Sequence, residues 1–397
     1  MQADAKSPQL SWVLAVVAAA GWAGAFAVPG LWRILGVADF SQPFLDLHGS
    51  LAASDAAAQG LDPYTVNRLD LFGRPHLYSS WWFVFGRLGL TRSDVPWLGV
   101  VLLAGFLAAA VHRLAPRTWK EVGATAALLL SPAFLMAVHR ANNDLMIFLL
   151  VAVVLVFVAR GTAVLRVAAM ALVGVGIVLK YYPAALLVLL VTAPSRRQLA
   201  AEVGAVGLVC VLGANSLGPA LAATAKYWTS EDGFYSFGAS HVWLLLGVSS
   251  AWRWGLVLLA VVAGGVAWRV WRSRLTVSAP TLECAAGCGL VCVCFALGQT
   301  YAYKLIFVVP MLPTLWRERA WVVGLGLLVA AWSDGIMALG LNLAGPALSG
   351  GVRENLIKYA PLAGAVAQWV VVAGALGWLA RFIVVHGARW RRPAVKP

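Results

Sequence analysis

Apolar residues run through this chain in long blocks separated by polar joints, most of them short. A helix crosses the hydrocarbon core with about 20 mostly apolar residues, and there the backbone must satisfy its own hydrogen bonds. The blocks at 11–35, 96–114, 122–138, 145–158, 167–179, 184–193, 200–217, 252–268, 282–297, 305–316, 321–341 and 359–382 therefore predict an all-α polytopic bundle of about twelve transmembrane segments. Those at 167–179, 184–193 and 305–316 are short for a bilayer and read as tilted, broken or partly embedded.

One joint stands apart: residues 39–94 form an extended loop between the first two spans. Within it, Phe44, Leu47 and Leu51 fall at i, i+3 and i+7, which predicts an interfacial helix inside Phe40 to Gly60. The turn residues Gly60-Leu61-Asp62-Pro63-Tyr64 stop it. Farther on, His76-Leu77-Tyr78-Ser79-Ser80-Trp81-Trp82 is too short to cross and rich in the aromatics that favour the headgroup level. It reads as a second interfacial or re-entrant piece, with simple membrane anchoring the equal alternative.

Composition agrees with the hydropathy pattern. Hydrophobic residues make up 61% of the 397 and charged residues 12%, and mean hydropathy is +0.82, far from a soluble domain. Basic residues collect in cytoplasmic loops. With the N-terminus inside, 18 of the 30 Lys and Arg fall on the inner joints, and most acids fall outside: Asp39, Asp46, Asp55, Asp62, Asp70, Asp94, Asp144, Glu231, Asp232 and Glu354. Both termini are thus expected inside, with 1–397 one membrane domain and 386–397 a basic cytoplasmic tail.

The net charge of +14 then reports topology. It forms no basic stripe with interleaved aromatics, so nucleic acid is not an expected partner, while membrane lipids are. Ala23 and Ala25 have the spacing of a leader cleavage site, but the apolar run continues past a normal leader length. Cys284, Cys288 and Cys292 share one helix face without a His or acidic residue at ligand spacing, which favours packing over a metal. No internal repeat is evident.

Candidate chemistry gathers at the outer junctions. His139-Arg140-Ala141-Asn142-Asn143-Asp144 joins two apolar spans, Lys180-Tyr181-Tyr182-Pro183 interrupts two short ones, and Gln299-Thr300-Tyr301-Ala302-Tyr303-Lys304 enters another. One cation can snorkel, but Arg140, Lys180 and Lys304, with amides and phenols beside them, suit an anionic headgroup such as a phosphate. In the loop, Asp46 lies near the start of the expected helix, where the dipole favours a carboxylate. Asp55 reads as a solvated helix residue. His48, Tyr64 and His76 are secondary candidates.

Together, Asp46 ahead of Gly60-x-Asp62-Pro63-Tyr64, the Arg140-x-Asn142-Asn143-Asp144 turn, Lys180-x-x-Pro183 after a Gly-containing span, and Tyr303-Lys304-x-Ile306-Phe307 resemble the bacterial membrane glycosyltransferases of family 87, over about residues 11 to 385. The resemblance implies a GT-C-type helical bundle in the bacterial cytoplasmic membrane with its site on the extracytoplasmic side. It also implies a polyprenyl-phosphate-linked sugar donor, mannose being the best-known sugar, and a glycan or glycolipid acceptor. Asp46 is the position matching the first-loop acid that acts as base. The His or aromatic residues often found before the tenth span are here Tyr301 and Tyr303, followed by Lys304.

On this reading Asp46 is the general base. Arg140, Lys180 and Lys304 are the expected phosphate ligands, with Asn142, Asn143, Tyr182 and Tyr303 as polar support to donor binding. Asp55 is about two and a half helical turns from Asp46, too far for the close carboxylate pair of a retaining enzyme, so inversion is expected. No cofactor is firmly implied. A divalent metal on Asp46, Asp55 or Asp144 stays open, since no ligand spacing demands one. A multi-span transporter or lipid flippase is the alternative, for which related halves and mid-membrane charges are expected.

Overall fold

A computed structural model of the chain describes residues 7–28, 30–37, 42–227, 236–248, 250–273, 281–297, 300–344 and 350–387. It is 82% helical, with a single two-stranded pairing of Ser236–Phe237 with Thr300–Tyr301 among the described residues. Seven helices there are long and apolar enough to cross a membrane: Pro8–Ala27, Arg92–Leu114, Asn143–Arg160, Arg196–Tyr227, Ala251–Val270, Trp321–Asn342 and Gly350–Gly387. The pair Trp119–Leu129 and Pro132–Arg140, bent by 56°, makes an eighth if it counts as one span. The protein is an all-α integral membrane protein.

The remaining expected spans have other forms. Ala163–Leu179 and Leu282–Ala296 are α-helices of 17 and 15 residues, whereas Tyr182–Thr192 is a 3₁₀ segment. Ala302–Met311 is also 3₁₀ and runs on into the short helix Leu312–Arg317. Pro310 lies inside Ala302–Met311 and removes an N–H from its ladder, whereas Pro183 stands in the first turn of Tyr182–Thr192, where no such bond is lost.

The chain divides into two compact units that interleave in sequence. The first takes residues 1–39, 107–136 and 231–397. In it Trp22 on Pro8–Ala27 donates its indole N–H to the Leu129 carbonyl at 3.1 Å. Trp321–Ala344 packs on Gly350–Gly387 through small residues: a Cβ on Gly364 would overlap Ser333, and one on Gly374 would overlap Val323. Leu282–Ala296 is buried almost throughout, Cys284 and Cys288 included, with Gly287 against Met311 and the Phe307 carbonyl, so these cysteines are core packing groups.

The second unit takes residues 40–106 and 137–230. Ala163–Leu179 and Arg196–Tyr227 lie against each other with Gly174 beneath Val209 and Gly213 beneath Val178. Near Thr192 the buried Arg166 makes a two-point ion pair with Glu202, at 2.6 and 3.1 Å. The loop helix is Leu45–Ala58, shorter than the expected 40–60 and set into the unit over most of its surface, with Asp46, His48, Gly49 and Asp55 partly accessible. Leu47 and Leu51 are buried, but so are Ser50, Ala52, Ala53, Ser54 and Ala56. Small residues allow close approach on several faces, and Ser54 bonds the Phe83 carbonyl and the Gly86 N–H. Asp39 and Gln299 lie outside the described residues, as does the tail beyond Gly387.

Candidate functional site

The loop helix starts on a left-handed residue, Phe44 (φ +63°), whose N–H donates to the His139 carbonyl at 2.7 Å and whose ring fills the space above Gly99. This places Asp46 in the first turn, facing the junction at residues 139–144. The junction itself turns on Ala141, buried at φ +41°. A side chain at positive φ costs about 1–2 kcal/mol. The turn sets Arg140 at the end of one helix and Asn142 as the N-cap of the next, Asn143–Arg160.

These side chains meet at Asp46. Arg140 donates Nε to Oδ2 at 2.7 Å and Nη2 to Oδ1 at 2.8 Å, across 94 residues of sequence. The Asn142 amide also donates to Oδ2, while its Oδ1 caps the Asp144 N–H at 2.8 Å. Arg74 reaches Oδ1 at 3.4 Å. Asn143 donates to Ser50 Oγ at 2.9 Å, and Ser50 lies 3.1 Å from the Asp46 carbonyl, which fastens the next helical turn to the same junction. Burial alone pushes the Asp46 carboxyl up. The Arg140 charge and hydrogen bond, the Arg74 charge and the Asn142 amide outweigh it and hold the group below the usual carboxylate range.

Asp144 follows in the first turn of its span, fully buried, with Oδ1 accepting from Lys180 Nζ at 2.5 Å and from Tyr182 Oη at 2.6 Å. Lys180 leaves the end of Ala163–Leu179 in extended conformation, and its ammonium also stands 4.6 Å from the Tyr78 ring centroid. Gly176 makes room for this turn: a Cβ there would meet Pro183 at 3.0 Å.

Arg140 and Lys180, the expected phosphate ligands, are not open cations in this structure. Each is paired with a carboxylate, Asp46 and Asp144 respectively, because buried charges need partners. Asp55 is likewise not simply solvated. It accepts from Arg92 Nε at 2.8 Å, and Arg92 also holds the Leu69 carbonyl, so the pair closes the loop on its helix.

The secondary candidates separate. Burial pushes His76 down to about 4 against the Ser79 carbonyl it contacts, so it is a neutral core histidine packed against Tyr64, Tyr78 and Phe83. Burial pushes Tyr64 up to about 12. His48 is half-buried, and burial pushes it below the usual imidazole range although Asp70 opposes this. Trp82 is buried with its N–H on the Leu179 carbonyl at 3.2 Å, anchoring the 76–82 segment to protein. Tyr303 and Lys304 belong to the other unit, where both are buried, with the ammonium 5.7 Å from the Tyr303 ring centroid.

Three participants carry no sequence signal as site residues. Arg74 and Asp70 sit in an irregular turn through Gly73 (φ +65°), and Ser50 reads as an ordinary small helix residue. Asp144 stood in the junction motif, but its partner Lys180 lies 36 residues away and spacing does not reveal the pair. Among the described residues no group of three or more His, Cys, Asp or Glu is placed to hold a metal ion. No family model matches the chain, and neither a curated protein nor a solved structure does.

Proposed function

We propose that the protein transfers a sugar, mannose or a related hexose, from a polyprenyl-phosphate-linked donor to a glycan or glycolipid acceptor on the extracytoplasmic face of the bacterial cytoplasmic membrane. One observation carries the reading: two motifs of the family 87 resemblance, the loop acid Asp46 and the Arg140-x-Asn142 turn, are in direct hydrogen-bond contact although 94 residues apart. An integral membrane protein that buries such a carboxylate and guanidinium at the start of a span has given them a task.

In the proposed reaction an acceptor hydroxyl attacks the anomeric carbon, the bond from that carbon to the phosphate oxygen breaks, and prenyl phosphate leaves with the electron pair. Asp46 receives the hydroxyl proton. Arg140, at the same carboxylate, and Lys180, on Asp144, are the cations of this unit at hand for the departing phosphate, each exchanging part of its carboxylate contact for the phosphate oxygens. Asn142, Asn143 and Tyr182 hold the carboxylates and the junction in place. Asp55 stands nine residues along the helix from Asp46, too far for the close carboxylate pair of a retaining enzyme, which favours a single inverting displacement.

The purified protein in liposomes, given polyprenyl-phosphate mannose and a glycolipid extract, tests this. Labelled sugar should move to the acceptor fraction, and prenyl phosphate should appear in equal amount. Donor left intact across a panel of polyprenyl-phosphate sugars would overturn the reading.

A further inference from the structure

Gly49 sits in the interior of the Leu45–Ala58 helix, where glycine costs about 1 kcal/mol relative to alanine. The space it leaves is occupied: a Cβ there would stand 2.9 Å from Arg74 Nη2 and 3.1 Å from Asp70 Oδ2. On this platform the Arg74 guanidinium is fastened along two edges. Nε donates to Asp70 Oδ1 at 3.1 Å, and Nη2 donates to Asp70 Oδ2 at 2.9 Å and to the Leu45 carbonyl at 3.0 Å. Asp70 is itself held by the N–H groups of Phe72 and Arg74.

The remaining edge is different. Nη1 reaches Asp46 Oδ1 at 3.4 Å, long for a charge-assisted bond, while Asp46 already has Arg140 at 2.7 and 2.8 Å. Arg74 is also the accessible member of the cluster, its side chain 34% exposed against 10% for Arg140. A planar donor fork whose orientation is fixed, whose outer edge makes a weak contact and whose side chain is partly exposed, with the Phe72 ring centroid 5.9 Å from its Cζ, is built to exchange that contact for a better acceptor. Two phosphate oxygens offer one.

We propose that Arg74, held on the Gly49 platform by Asp70, accepts a phosphate group, whose oxygen takes the Nη1 edge from Asp46. Exchange explains how a charge-balanced cluster receives an anion. Asp46 and Asp70 offset Arg74 and Arg140, so the ligand must displace a carboxylate to gain a cation. The same event loosens Asp46, and a carboxylate with one guanidinium fewer is a stronger base. The inference rests on the reading of Asp46 as the reacting carboxylate, but its test reads anion binding and not sugar transfer.

The test uses the full chain in neutral-lipid nanodiscs, with inorganic phosphate and farnesyl phosphate as probes. In the unaltered protein either probe should protect Arg74 from phenylglyoxal, read by peptide mass spectrometry. Asp46→Asn removes the competing charge and should tighten binding of both probes by about tenfold. Gly49→Ala should weaken it by about tenfold or more with the melting temperature close to that of the parent, and Arg74→Met should weaken it at least as much, measured well below its lowered melting temperature because Asp70 loses its partner. Much tighter binding of farnesyl phosphate than of inorganic phosphate assigns the ligand as a lipid headgroup, and comparable binding assigns free phosphate. Arg74 modified equally with and without the probes, or wild-type affinity in folded Arg74→Met, would overturn the proposal. Protection of Arg74 in a protein that transfers no sugar would remove the proposed reaction and leave the anion site standing.

Discussion

Two groups in the first loop, Asp46 and His76, show how burial is offset by partners in one case and not in the other. His76 has no charged partner to favour its cationic form, and burial takes it to about 4. Its folded value lies below the unfolded one near 6.5, so the stability it contributes is complete above that pH and declines as pH falls toward 4, by about 3 kcal/mol in all. Melting temperature should therefore drop between pH 7 and 5 in the parent and much less in His76→Phe, and equal slopes would contradict this assignment. Asp46 and Asp70, both held below the usual carboxylate range, act lower on the scale: their contribution is present above about pH 4 and is lost as pH falls through their folded values. Asp46, Arg140 and Asn142 were legible in the sequence because polar residues at the edge of apolar blocks need a reason to be there. Arg74 and Asp70 were not, since a turn through Gly73 has no period and Asp46, which Arg74 reaches with its Nη1 edge, lies 28 residues away.

At the scale of elements, hydropathy located the apolar segments but not their helix type. Nothing in apolar content separates the 3₁₀ segment Tyr182–Thr192 from an α-helix, and Pro183 in its first turn, packed back onto Gly176, suits either. The loop helix was legible from Leu47 and Leu51, although Phe44, the expected first position of the stripe, is the left-handed residue before it, and the burial on several faces followed from serines and alanines that periodicity does not weigh. The 139–144 junction depends on Ala141 in left-handed backbone. A β-branched residue fits that conformation poorly, so Ala141→Val should destabilise by about 1–3 kcal/mol and loosen the Arg140 to Asp46 contact, with Ala141→Gly neutral or stabilising. Thermal unfolding of the two variants checks it, and equal melting temperatures would show that the turn is not strained. The Arg92 to Asp55 pair is partly exposed, with Arg92 37% accessible, so Asp55→Asn should cost at most about 1 kcal/mol and leave transfer near normal.

For the whole molecule, composition established a membrane protein, and the described residues hold seven to eight helices able to cross, with the shorter apolar segments completing the two units. The interleaving of those units was not legible, because two of their boundaries, at 106/107 and 136/137, fall inside continuous helices and no shift in composition marks them. Positive charge on alternate joints predicts residue 50 outside and residue 196 inside. Single-cysteine accessibility at these positions should label them from opposite faces, and labelling from the same face would refute the arrangement. Sugar transfer is the central proposal, and Asp46 is its test. Asp46→Asn retains shape and can still accept from Arg140, so the protein should fold and bind donor. Transfer from polyprenyl-phosphate mannose in liposomes should nonetheless fall by about 10² or more, the scale of a positioned base. Turnover by Asp46→Asn close to that of the parent, with melting temperature unchanged, would contradict the account.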